Sequence, residues 1–212
     1  MKSLLAPLRF FSTHIVASTL ALLVVVAPLA NASEALSPYK VVESTGGKLF
    51  SRISAQQNEL QKFPELMREI VDQELMPVID YKYASFKILG KNLRKMSKEQ
   101  RSKFTASMRS YLIRTYATAL TQYKNQQVTY EPARSTGTKK IVPVSATIVD
   151  PNKPEINMVF LMRQNKKTKQ WKAFDLIVEG ISLLSSKQAE FNSRIAKYGI
   201  DQVTVELASV AK

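Results

Sequence analysis

The residues that could do chemistry in this chain of 212 are few: 17 acids, one histidine and no cysteine. The histidine, His14, lies in an N-terminal segment that reads as an export signal. Lys2 and Arg9 precede an uncharged run of 16 residues from Ile15 to Ala30, and Ala30-Asn31-Ala32 is the small-x-small pattern of a signal-peptidase site. Cleavage is expected after Ala32, leaving 33–212 as a single domain. The alternative is an uncleaved membrane anchor, but that needs about 20 apolar residues, and this run is shorter and holds Pro28 near its end. The mature chain would then have neither histidine nor cysteine. This excludes a Ser-His-Asp triad, a cysteine nucleophile, a histidine base, a His/Cys zinc site and a lipid-modified cysteine.

Carboxylates are what remain. Asp72 and Glu74 lie two apart in a helical segment and so point in different directions. Asp150 and Glu155 flank a turn, an ordinary solvated placement. Asp175 sits between Phe174 and Leu176 in the middle of a strand, and in a cupped α+β fold such a group could serve as a general base. The alternative, an outward-facing or hydrogen-bonded acid without a catalytic role, is favoured, since Asp175 has no partner to complete an active site.

The elements that would position these groups are written in caps, breakers and periodicity. Ser37-Pro38 starts a helix whose apolar spacing runs through Val41, Val42, Thr45, Leu49, Ile53 and Leu60, with Gly46-Gly47 expected to weaken or bend it. Phe63-Pro64 opens a second helix, with Leu66, Met67, Ile70, Val71 and Leu75 on its inner side, which Pro77 must break. Tyr81–Leu89 ends at Gly90, a natural C-cap. Ser97 and Gln100 form a capping box ahead of the clearest stripe in the chain: Phe104, Met108, Tyr111, Leu112, Thr115, Tyr116, Ala119, Leu120 and Tyr123. That stripe predicts a helix roughly 39 Å long.

After Tyr123 the period changes from 3.6 to 2. Strands are expected at Gln127–Arg134, Lys139–Val149, Glu155–Gln164 and Gln170–Val178, with turn sequences between them. Val142, Val144, Ala146 and Ile148 share one face of the second strand, Ile156, Met158, Phe160 and Met162 one face of the third, and Phe174, Leu176 and Val178 one face of the fourth. A helix over Leu183–Tyr198 stops at Gly199, and Asp201 is expected to cap a short last helix. The order predicts an α+β fold, with helices against an antiparallel sheet of about four strands. Long helix, sheet face and the Val71–Leu89 segment then offer three apolar surfaces. They either close a filled core or enclose a cavity, and periodicity does not choose between them.

Losing Lys2 and Arg9 leaves 29 basic residues against 17 acids, a net charge of +12. In an exported chain this either serves solubility alone or favours anionic membrane surfaces, acidic headgroups or an acidic protein face over nucleic acid. The cluster Lys91, Arg94, Lys95, Lys98, Arg101 and Lys103 is the densest candidate for such steering, or simply a solvated helix start.

Five segments carry a resemblance in order along the chain. Val71–Gly90 reads VDQELMPVIDYKYASFKILG, Arg101–Leu120 contains RTYATAL after a basic, capped helix start, Thr147–Pro151 reads TIVDP, Trp171–Phe191 WKAFDLIVEGISLLSSKQAEF, and Gly199-Ile200-Asp201 closes the pattern, with Ser37-Pro38-Tyr39-Lys40 near the mature start. In these the chain resembles the MlaC family, periplasmic phospholipid-binding proteins also known as toluene-tolerance auxiliary components. Gly46-Gly47, Asn92-Leu93-Arg94 and the basic Asn165–Lys169 turn look individual to this chain.

The resemblance implies a curved antiparallel sheet packed with helices around a deep apolar pocket. It implies a monomeric, non-enzymatic carrier with no cofactor beyond its phospholipid cargo. Such a carrier works between an outer-membrane lipoprotein and porin complex and an inner-membrane ABC transporter with a lipid-binding domain, and maintains outer-membrane lipid asymmetry. A phospholipid with about 30 methylenes would cost roughly 20 kcal/mol to expose, at about 0.8 kcal/mol each, so a carrier must bury the tails. Pattern and matching segments together place Val71, Leu75, Val78, Tyr83, Phe86 and Leu89 on one wall of the pocket. Leu112, Tyr116, Val144, Ile148, Phe160, Phe174, Leu176 and Ile181 are expected on the walls facing it. The rivals are an enzyme using Asp175 and an adaptor or chaperone with a filled core.

Overall fold

The structure, a computed structural model, describes residues 36–210; the expected signal segment lies outside them. Helix α1 (Pro38–Ala55) starts where Ser37 Oγ accepts from the Lys40 N–H at 3.2 Å. It runs unbroken through Gly46-Gly47, against the expected bend, and α2 (Gln57–Lys62) follows as a separate short helix. Next, α3 (Leu66–Ile70) passes into a π-helical turn at Val71–Leu75 and a 3₁₀ turn at Met76–Val78. Pro77 has no N–H to continue a helical ladder, and the segment ends as expected of it. The π turn is held on both sides. Arg52 reaches Gln73 at 2.7 Å and Glu74 at 2.9 Å from α1, and Arg109 pairs with Asp72 from the opposite flank.

Asp80 accepts from the Tyr83 N–H at 3.1 Å to start α4 (Tyr81–Leu89), which Gly90 ends at φ +51°, a left-handed conformation that suits glycine. The capping box then forms: Ser97 Oγ accepts from the Gln100 N–H at 3.1 Å, and Gln100 Oε1 accepts from the Ser97 N–H at 3.0 Å. It opens α5 (Lys98–Leu120). At the C-terminus, α6 (Leu183–Tyr198) is capped by Ser182 and stopped by Gly199, and α7 (Ile200–Val210) follows at once. Asp201 is therefore inside the first turn of α7 rather than its cap, where it accepts from Gln100 Nε2 at 3.1 Å and ties α7 to the start of α5.

The sheet is an antiparallel meander of β1 (Gln127–Tyr130), β2 (Ile141–Asp150), β3 (Lys153–Gln164), β4 (Trp171–Val178) and a two-residue β5 (Ile181–Ser182), paired in sequence order. The fifth strand goes beyond the expected four, and β1 stops short of Arg134. Register sets Val142 against Met162, Val144 against Phe160, Ala146 against Met158 and Ile148 against Ile156, so the apolar residues of β2 and β3 share one face. In β4 a bulge interrupts the alternation. Met162 pairs with Ala173 but Leu161 with Asp175, so Phe174 is the extra residue, and Ala173, Phe174 and Asp175 are buried in succession.

Two cores result. One joins α1, α3 and the Val142, Val144, Met162, Trp171 and Ala173 region of the sheet; the other joins Ile88, Leu89, Met96, Phe104, Met108, Phe191, Val203 and Leu207 from α4 to α7. Leu112, on α5, packs against both. Among the described residues, no helix is long and apolar enough to cross a membrane.

Candidate functional site: an apolar cavity between helix and sheet

Between the two cores the side chains do not meet. A cavity of about 540 Å³ lies there, within the usual size range of small-molecule pockets. Helices α1, α4, α5 and α6, the sheet and the turn segment carrying Leu75, Val78 and Ile79 wall it. On α5 the apolar stripe presents Leu112, Thr115, Tyr116, Ala119 and Leu120, and the sheet faces them with Val128, Ala146, Ile148, Met158, Phe160 and Leu176. Val41, Val42, Leu49 and Phe50 of α1 close one side, and Leu183, Leu184 and Lys187 of α6 stand at another. Thr115, Ala119, Ile156 and Leu183 are the wall residues most open to solvent, which puts the mouth between α5, the start of β3 and the start of α6.

Eight of the residues expected to line a pocket lie on its wall: Leu75, Val78, Leu112, Tyr116, Ile148, Phe160, Phe174 and Leu176. The other six do not, each for a local reason. Val71 and Val144 are 0 % exposed within the first core, and Leu89 is 0 % exposed within the second, so packed neighbours cover the faces they would turn to the cavity. Tyr83 packs edge-on against Phe174, 5.2 Å between ring centroids, and lies 4.1 Å beneath the Arg163 guanidinium, which itself pairs with Asp80. Phe86 is two positions from both Ala84 and Ile88, which do line the cavity, so helical geometry turns it outward, where it is 39 % exposed. Ile181 sits on the short edge strand, 62 % exposed.

Helices α1 and α6 line the cavity without being among the expected walls. The Val41, Val42, Thr45, Leu49 spacing was a usable signal, since it marks a continuous apolar face. Lys187 had none, being a cation in a helix of mixed polarity. Gly46 serves a purpose the sequence hides: a methyl group built there would overlap the Tyr130 hydroxyl, so the bare backbone lets Tyr130 close against α1.

Polar groups on the wall are few and mostly tied down. Asp175 Oδ2 accepts from Ser182 Oγ at 2.7 Å and Oδ1 from the Leu184 N–H at 2.9 Å. Its negative charge thus faces the positive end of α6, a capping arrangement that accounts for a buried acid. Burial pushes the Tyr116 hydroxyl up to about 12, with the Asp175 and Tyr111 charges adding to it. Burial likewise raises Tyr130 to about 12, helped by Tyr123 and Glu43. Both phenols stay neutral across physiological pH. For Lys187, burial pulls its value down, but hydrogen bonds to Glu190 and Tyr111 outweigh this and leave it raised, so the ammonium stays charged. Among the described residues, no group of three or more acids could hold a metal ion.

The MlaC protein family matches residues 43–209 of the chain. The intermembrane phospholipid transport system binding protein MlaC of Haemophilus influenzae is 31 % identical over 176 residues, 82 % of each chain. A toluene tolerance protein of Pseudomonas putida is 25 % identical over 168 residues, covering 79 % of this chain and 77 % of that one. In fold, the chain superposes on a phospholipid-binding protein from Ralstonia solanacearum, solved in complex with a phospholipid, with a TM-score of 0.73 at 22 % identity, covering 83 % of this chain and 97 % of that one.

Proposed function

Because the chain belongs to the MlaC family, we propose that it is a periplasmic carrier, exported through a cleaved signal, that takes the acyl chains of a phospholipid into the cavity between α5 and the sheet. It shuttles that lipid between an outer-membrane lipoprotein and porin complex and an inner-membrane ABC transporter. The eight wall residues from Leu75 to Leu176 named above contact the chains. The observation that carries this reading is a cavity walled by aliphatic and aromatic side chains in a fold that has two other, filled cores. Empty apolar volume costs stability, and a cargo that fills it recovers the lost contacts. Nothing in such a wall needs to react with the cargo, which fits a chain whose central acid caps a helix.

The test is native mass spectrometry of the mature protein taken from the periplasm, with lipid extraction of the same sample. A bound mass equal to one or more phospholipids, recovered on extraction, is the expected result. A protein that is empty as isolated, and still empty after incubation with phospholipid vesicles, would overturn the carrier reading.

A further inference from the structure

We propose that Lys187, with Tyr111 beside it, is the phosphate anchor of the cavity: the ammonium at the mouth binds the phosphodiester of the lipid whose chains lie inside. The inference rests on the carrier reading and adds a recognition element to it.

Among the described residues, Lys187 is the only cation on the cavity wall. It lies one turn after Leu183 on the same face of α6, and Leu183 is among the residues that mark the mouth. Its ammonium stands 5.4 Å from the centroid of the Tyr111 ring, so it spans from α6 to α5 across the entrance. Tyr111 is one turn before Thr115, another residue at the mouth. The side chain is 34 % exposed, which leaves the ammonium reachable from solvent while its stem lies against apolar wall.

The neighbouring acids decide what the ammonium can still accept. Asp175 is engaged by the first turn of α6, through Ser182 Oγ and the Leu184 N–H, so the helix end is already neutralised. Glu190 holds Lys187 at 2.7 Å, but only as an i,i+3 pair whose side chain is 43 % exposed. Such surface pairs are weak. An ammonium has three donors, and a lipid phosphate brought to it by buried chains is presented at high effective concentration. Lys187 therefore keeps Glu190 as a partner when empty and shares or exchanges it for phosphate when loaded.

The experiment is a competition on delipidated mature protein between dipalmitoyl phosphatidylglycerol and dipalmitoyl glycerol, read by native mass spectrometry. The two probes share chains and differ in the phosphate-bearing headgroup. Wild type should favour phosphatidylglycerol by about tenfold, the scale of one charge-assisted hydrogen bond. Lys187→Gln should bring that ratio close to one, the loss falling on phosphatidylglycerol. Lys187→Arg should restore most of the ratio, and Glu190→Gln should raise it above wild type. Inorganic phosphate in large excess should leave the wild-type ratio in place, since it has no chains to bury; its collapse under phosphate would overturn assignment to a lipid headgroup. A ratio unchanged in Lys187→Gln, with both lipids still taken up, would overturn the anchor and leave the carrier reading standing. Failure of wild type to take up either lipid would overturn both.

Discussion

The two halves of α5 carry one continuous apolar stripe and meet two different surroundings. Phe104, in the first half, is 0 % exposed and packs into a core closed by α4, α6 and α7, and Met108, one turn on, is 1 % exposed and stands where that core meets the cavity. Leu112, Thr115, Tyr116, Ala119 and Leu120, in the second half, face the cavity. The sheet repeats the division: Val142 and Val144 are buried in the first core, while Ile148 and Ile156 at the other end of the same paired strands stand on the cavity wall. A stripe on a helix or a face of a strand fixes which side is apolar. What fills the space opposite is decided by the partner element, and here the second half of α5 and the far end of the sheet are held apart by the helices packed around them.

The largest effect that separates the two regions is the cost of removing side-chain volume. Phe104→Ala should destabilise the protein by about 3–5 kcal/mol, because it opens a void among packed neighbours. Leu112→Ala should cost about 1 kcal/mol, since its outer face already borders empty space. Urea unfolding of the two delipidated variants measures this. Equal costs would mean that the cavity wall is packed like a core.

Adding volume should sort the regions in the opposite way. Val144→Trp forces a large ring into filled space and should cost roughly 1–3 kcal/mol or more. Leu112→Trp should fold with stability within about 1 kcal/mol of wild type, because the ring can enter the cavity, and should lower lipid occupancy. Comparing extracted lipid per folded protein with the unfolding midpoint of each variant distinguishes blocking from unfolding. Full lipid occupancy in a folded Leu112→Trp protein would remove Leu112 from the wall that cargo touches.

A third difference lies in pH. Tyr116 belongs to the hollow region, and burial raises its hydroxyl from the usual 10.0 to about 12. A value higher in the folded than in the unfolded state gives stability that is complete below pH 10 and is lost as pH rises through about 12. The slope should be no more than about 2–3 kcal/mol over that window. Tyr116→Phe should flatten the part of the loss between pH 9 and 11.5 that Tyr116 carries. Urea midpoints across this range test it, and an unchanged slope in the variant would show that the phenol is solvated in the cavity.

Much of this architecture could be read in the sequence, because its signals are local. Ser37 and Ser97 cap helices through their own hydroxyls, Gly90 and Gly199 end them at positive φ, and the period-2 runs set the β2–β3 register. The cavity is a matter of what lies across from an apolar face, which local pattern does not carry. Val71, Val144 and Leu89 illustrate this: they are as apolar as the wall residues and sit in the cores. The β4 bulge was also hidden, since inserting Phe174 as an unpaired residue leaves the alternating pattern on either side intact. Lys187 is legible only once the mouth is known.

The smallest effect tests whether the hollow region is loose throughout. Gly46 and Gly47 are adjacent in the interior of α1, and glycine costs a helix about 0.5–1 kcal/mol relative to alanine. Gly47 has open space where a Cβ would go, so Gly47→Ala should stabilise by about that amount. Gly46 has the Tyr130 ring and hydroxyl in that space, and both residues lie on the cavity wall. Gly46→Ala must move Tyr130, losing about 1 kcal/mol net after the helix gain, with the strain that overpacking brings. Opposite signs for two neighbouring, chemically identical substitutions, read from thermal unfolding of the two variants, would show that the hollow region is sealed on its α1 side by contact as close as in either core. Stabilisation by both would mean that Tyr130 swings away at no cost and that the wall there is soft, which would widen the range of cargo shapes the cavity can accept.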